Sequence, residues 1–150
     1  MKKLIAAAGL LLGTTGLAAA CPDYGYQGQQ TGYATGQDLY LPNSYNTTAG
    51  GTYDLYACGF TNAGNFTIAP NFEFRLDGME AYGRLEIRVQ GNCDTVLLVN
   101  DSNGNWTWND DSYGLNPAIN FSGPRSGVYD IWVGTFGGAS CAATLTMETW

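Results

Sequence analysis

Two neighbouring stretches decide the fold: Gly83-Arg84-Leu85-Glu86-Ile87-Arg88-Val89-Gln90 and Cys93-Asp94-Thr95-Val96-Leu97-Leu98-Val99. In the first, Leu85, Ile87 and Val89 alternate with Arg84, Glu86, Arg88 and Gln90, the period of a half-buried strand. In the second, Thr95 to Val99 is apolar on both faces and reads as a central strand. Upstream, Phe72, Phe74 and Leu76 alternate with Glu73, Arg75 and Asp77. Further strand candidates are Thr52 to Cys58, Phe66 to Ile68, Asn105 to Asn109, Ala118 to Phe121, Val128 to Phe136 and Ala142 to Met147. Turn residues recur roughly every eight to twelve positions, as in a sandwich or barrel. The prediction is an all-β protein. It is a two-layer antiparallel β-sandwich, jelly-roll-like, of about eight strands, forming one domain over residues 38–150. Leu85, Ile87, Val89, Leu97, Val99, Ile119, Phe121, Ile131, Val133, Leu145 and Met147 are its expected core.

Asn103-Gly104 is a strong turn signal, because a type I′ hairpin needs positive φ at both central residues. A two-residue loop there sets Asp101 opposite Trp106, Val99 opposite Trp108, Leu97 opposite Asp110 and Val96 opposite Asp111. Asp94 and Asp111 then share one face near the open end of the hairpin.

The 150 residues are 13% charged and include 21 glycines and no histidine. Such a composition excludes a coiled coil or long helical bundle. Without histidine there is no Ser-His-Asp triad, Cys-His dyad or His-ligated zinc. Six basic residues against thirteen acids speak against a nucleic-acid partner, because phosphate binding draws on Lys and Arg.

Residues 1–20 read as a secretory signal peptide: Lys2-Lys3, the apolar run Leu4 to Leu12, and the small residues Ala18-Ala19-Ala20. The run is shorter than the roughly 18–20 apolar residues of a membrane span. A secreted or periplasmic product is expected, with four arginines against thirteen acids and a net charge of −9. Cleavage exposes Cys21, so a lipoprotein acylated there is the alternative. Acylation would leave three cysteines, an odd count in an oxidising compartment. Four cysteines allow three pairings. The favoured one is Cys21–Cys58 with Cys93–Cys141, which ties the N-terminus to a strand end and two later strands to each other.

Residues 21–37 are rich in Tyr, Gly and Gln and read as an irregular arm pinned by Cys21. Deleting residues 22–37 is expected to leave the sandwich intact. Asp94, Asp110 and Asp111 gather hard oxygen donors, and Asn116 can add another, so they form a candidate calcium site. The competing reading is a solvated loop with Asp and Asn as turn formers. Trp106 and Trp108 share a strand face, either as core or as an exposed stacking platform.

Residues 72–148 resemble the bacterial pre-peptidase C-terminal domain. The resemblance lies in Cys93-Asp-Thr-Val-Leu-Leu-Val99, the Asn103-Gly104 turn, Asn109-Asp110-Asp111 and Ser126-Gly-Val-Tyr-Asp-Ile-Trp-Val133. It implies a jelly-roll-like sandwich found beside secreted proteases, with related domains sometimes holding calcium or an extracellular polymer. Asp94, Asp110 and Asp111 stand at the acidic positions of that pattern. Residues 21–71 do not match it. The functional expectation is an exported, non-catalytic protein with a binding or accessory role and calcium as candidate ion. The alternatives are an envelope or adhesion protein using its aromatic surface, and a hydrolase with Asp94 as base and Asp110 or Asp111 as acid.

Overall fold

The computed structural model describes residues 20–61 and 64–150. The expected leader, but for Ala20, lies outside the described residues. Eleven strands are present among the described residues: β1 (Gln30–Thr35), β2 (Asn43–Ala49), β3 (Tyr53–Asp54), β4 (Asn65–Phe66), β5 (Phe72–Asp77), β6 (Arg84–Gly91), β7 (Thr95–Asn100), β8 (Trp106–Asn109), β9 (Ala118–Ser122), β10 (Gly127–Thr135) and β11 (Cys141–Thr149). They form a β-sandwich of two sheets. One sheet has seven strands and runs β8-β7-β10-β5-β1, with the short β4–β3 pair continuing beside β10 on its β5 side. The other has four antiparallel strands in the order β2-β11-β6-β9.

Four expectations are corrected. The strands number eleven and not about eight, because β1 and β2 carry too few apolar residues to show in the pattern. In β2 the half-buried side is Asn43, Tyr45 and Thr47, which hides the alternation. The sheets are not all antiparallel, since β1 runs parallel to β5. The supposed irregular arm therefore belongs partly to the fold: Gln29 N–H donates to Pro70 O at 2.9 Å and Gln30 N–H to Asn71 O at 3.0 Å. Deleting residues 22–37 would strip a strand from the sheet. The expected strand over Thr52 to Cys58 shrinks to β3. Asp54 ends it by accepting the Tyr56 N–H at 2.9 Å, which starts a 3-10 turn over Leu55–Cys58.

The core lies between the sheets. Leu85, Ile87 and Val89 of β6 face Leu97 and Val99 of β7 and Ile131 and Val133 of β10, and Leu145 and Met147 of β11 complete this layer. All the residues selected from the alternation are buried except Phe121, which is half-buried. Each fully buried Leu, Ile, Val or Phe contributes about 1.5–3 kcal/mol before the entropy of ordering the chain. One polar residue crosses this layer. Asn71 is 2% exposed; its Oδ1 accepts the Val133 N–H at 2.8 Å, and its Nδ2 donates to Thr47 Oγ1 and Thr48 O, both at 3.2 Å.

Both expected disulfides are present, Cys21–Cys58 and Cys93–Cys141. With the Cys21 sulfur in a bridge, no thiol is left there for acylation. Among the described residues no helix is long and apolar enough to cross a membrane.

Candidate functional site

The seven-stranded sheet is apolar on both faces for part of its width, as the both-sided apolar run of β7 requires. Its outward residues Val96, Leu98 and Trp132 form a second cluster with Leu55 and Phe66 of the segment that folds over them. Trp132 Nε1 donates to Ile68 O at 3.2 Å. The Cys21–Cys58 bridge holds the start of the arm and this covering segment together. Trp106 and Trp108 are half-buried against the same cluster. The Trp106 ring centroid lies 5.2 Å from that of Trp132, and Tyr24 lies 6.1 Å beyond. These tryptophans share a face, as the sequence indicates, and that face is largely covered.

The cover stops one row short. Across β5, β10, β7 and β8 the register places Glu73, Asp130, Asn100 and Trp106 side by side. These residues alternate with the inward Phe72, Tyr129, Ile131 and Val99, so they point outward. Asp130 is 6% exposed and Asn100 is 5% exposed, yet Asp130 Oδ1 and Asn100 Nδ2 have no hydrogen-bond partner among the described residues. They line the floor of a groove of about 730 Å³. One wall is the arm segment Tyr24 to Gln27, and the other is the hairpin tip Asp101 to Gly104. That volume lies within the roughly 300–1,000 Å³ of small-molecule sites.

Local chemistry fixes both walls. Gly28 N–H donates to Glu73 Oε2 at 3.1 Å, and a Cβ on Gly28 would come within 2.6 Å of the Glu73 backbone nitrogen. Only glycine lets the arm approach β5 this closely. The hairpin loop has three residues, Ser102-Asn103-Gly104, and not the two of a type I′ turn. Asp101 Oδ1 accepts the N–H of Asn103 at 2.8 Å and of Asn105 at 2.9 Å, and Gly104 takes φ +80°. An Asp side chain that satisfies two loop amides thus outcompetes the two-residue turn. The register slips by one: Trp106 pairs with Asn100 and Trp108 with Leu98. A slip of one exchanges faces.

Electrostatics single out Asp130. Burial first, and then the negative charge of Glu73, push its pKa up to about 6. Among the described residues no lysine or arginine lines the groove, whereas Glu73, Asp101 and Asp130 do. The outer face of the four-stranded sheet differs. There Arg88 Nη1 donates to Glu86 Oε1 at 2.7 Å and to Glu148 Oε2 at 2.8 Å, and Arg84 stacks over Trp150. Those charges satisfy one another.

The candidate calcium residues are only partly brought together. Burial first, then the charges of Asp111 and Asp110, raise the Asp94 pKa. β8 ends at Asn109, which leaves both later acids in the following loop. The Asn116 oxygen is already engaged, its Oδ1 accepting the Gly91 N–H at 2.8 Å and the Thr95 hydroxyl at 3.2 Å. Among the described residues no group of three His, Cys, Asp or Glu side chains is placed to share a metal.

Glu73, Asn100 and Asp130 do not stand out in the sequence as site residues. The available signal was an acid inside Val128-Tyr-Asp-Ile-Trp-Val133, where every other residue is apolar or aromatic.

No family model matches the chain, and no curated protein matches it by sequence. A similar solved structure is that of Aeromonas hydrophila PliG, a periplasmic lysozyme inhibitor of g-type lysozyme. It has a TM-score of 0.45 and 12% identity over 81% of this chain and 98% of that one. The functional reading of this chain rests on its own residues.

Proposed function

We propose that this is an exported, non-catalytic binding protein, and that the groove on the outer face of the seven-stranded sheet is its binding surface. The observation that carries the reading is the uncovered polar row. Beside an apolar row covered by the folded-over segment lie Asn100 and Asp130, each with one buried side-chain atom that has no hydrogen-bond partner among the described residues. Native proteins rarely leave such groups unpaired, and functional sites are among the places where they do. Export is supported by the leader sequence and by the two disulfides, which persist in oxidising compartments. A relationship to the pre-peptidase C-terminal domain is proposed on the sequence pattern of residues 72–148.

A groove-filling substitution tests it. Val128 stands at the groove and is exposed. The exported form is immobilised and soluble envelope extract is passed over it. Val128→Trp is expected to abolish capture of the material retained by the wild type, while Tyr113→Ala, outside the groove, leaves it unchanged. Equal capture by Val128→Trp contradicts the assignment of the surface. Turnover of the captured material, with Glu73 and Asp130 as acid and base, contradicts the non-catalytic reading.

A further inference from the structure

We infer that the groove docks a basic segment of a protein partner, with an arginine side chain laid between the tyrosines of the arm wall and the carboxylates of Glu73 and Asp101. This inference rests on the reading of the groove as the binding surface. The lining carries three acids, Glu73, Asp101 and Asp130, and among the described residues no base. Neutral donors hold two of them: Gly28 N–H donates to Glu73 Oε2, and the N–H groups of Asn103 and Asn105 donate to Asp101 Oδ1. Such bonds fix the carboxylates and leave their charge uncancelled. Among the described residues no ion pair reaches any of the three. Arg75, the next outward residue along β5, pairs instead with Asp77 at 3.7 Å. Asp130 lies beneath the other two. With its pKa at about 6 it is ionised at neutral pH, and it acts on a cation through its field, which needs no contact.

The arm wall points to the same ligand independently. Tyr24 and Tyr26 are 60% and 50% exposed, although the apolar cluster around Trp106 and Trp132 begins next to them. The arm is pinned where it presents them. Asp23 N–H donates to Ile68 O at 2.9 Å, Tyr26 N–H donates to Asp23 O at 3.2 Å, and Asp23 Oδ1 accepts the Gly25 N–H at 2.8 Å. Aromatic rings held in water beside uncancelled carboxylates suit a guanidinium, which stacks on an aromatic face while its edge donates to carboxylates. An ammonium is a more strongly hydrated point charge without a flat face. A carboxylate or phosphate meets like charge. Val128, 41% exposed, offers apolar surface to the methylene stem of an arginine. A groove of about 730 Å³ takes more than one side chain, as a segment of a partner requires.

Isothermal titration of the exported form with acetylated, amidated hexaarginine tests the inference, beside hexalysine, spermine and hexaglutamate. Hexaarginine is expected to bind most tightly and hexaglutamate not at all. Glu73→Gln keeps an acceptor for Gly28 and removes a charge, and is expected to raise the hexaarginine Kd about tenfold. Val128→Arg sets a cation in the groove from within and is expected to abolish binding. Tyr113→Arg makes the same change of net charge at an exposed site outside the groove and is expected to leave the Kd unchanged. If Tyr113→Arg weakens binding as much as Val128→Arg, the attraction is to the overall negative charge and the inference is overturned. An absence of hexaarginine binding, or a Kd unmoved by Glu73→Gln and Val128→Arg alike, also overturns it. Hexalysine binding as tight as hexaarginine overturns the assignment to arginine, and tighter binding of spermine overturns the polypeptide partner. If hexaarginine fails to bind while Val128→Trp still abolishes capture of envelope material, this inference falls and the groove stands as the binding surface. The groove reading itself fails if Val128→Trp leaves capture unchanged.

Discussion

Replacing Asp130 with Asn removes a carboxylate that the fold holds at a disadvantage. Burial and Glu73 raise its pKa from 3.8 to about 6. A carboxyl with a raised pKa binds its proton more tightly in the folded state. Its favourable contribution is therefore full below pH 3.8 and is lost as pH rises through about 6. A shift of about two units corresponds to about 3 kcal/mol. Asp130→Asn keeps the shape and an acceptor oxygen and removes the charge. Urea unfolding of both proteins from pH 4 to pH 8 is the assay. Near pH 4 the two are expected to have similar stability. By pH 7 the variant is expected to be about 3 kcal/mol more stable, a midpoint shift of about 2 M urea at an m-value of about 1.5 kcal/mol/M. A difference that stays flat across the range would refute the idea that an ionised Asp130 is buried beside Glu73.

Asn71→Leu should cost about 3 kcal/mol, because it strands the buried Val133 N–H and the Thr48 carbonyl together; equilibrium unfolding would show it, and a loss under 1 kcal/mol, on the order of an ordinary surface change, would count against the bridging role. Replacing Cys93 and Cys141 by Ala opens a loop whose ends lie 48 residues apart, at a chain-entropy cost of ~4 kcal/mol; a variant as stable as the wild type would show that the bridge adds nothing. Calcium at the Asp94, Asp110 and Asp111 rim is carried as a proposal, under which calcium at a hundredfold excess over its Kd adds about 2.7 kcal/mol and raises Tm; a melt unchanged by calcium and by chelator removes the ion.

The inner layer was legible because its strands bury one face and expose the other. Leu85, Ile87 and Val89 could be read against Arg84, Glu86 and Arg88 without any tertiary knowledge. β7 announced its central place by having no polar face. β1 and β2 were silent because Gly32, Thr35, Thr47 and Ala49 hold their positions through backbone pairing and not through apolar bulk. The hairpin register depended on whether Asp101 would bind two amides, a choice between competing turns that the Asn-Gly signal alone does not make. The groove was hidden for a further reason. Glu73, Asn100 and Asp130 lie far apart in the chain and meet only through the strand order β5-β10-β7. Any single one of them reads as an ordinary outward polar residue.

The most direct measurement is amide chemical-shift mapping of the isotopically labelled exported form during titration with the envelope material that the immobilised protein retains. Shifts confined to Tyr24–Gln27, Glu73, Asn100–Gly104 and Val128–Asp130 are the predicted result. Shifts centred instead on Arg84, Arg88 and Trp150 of the opposite sheet face would contradict the account.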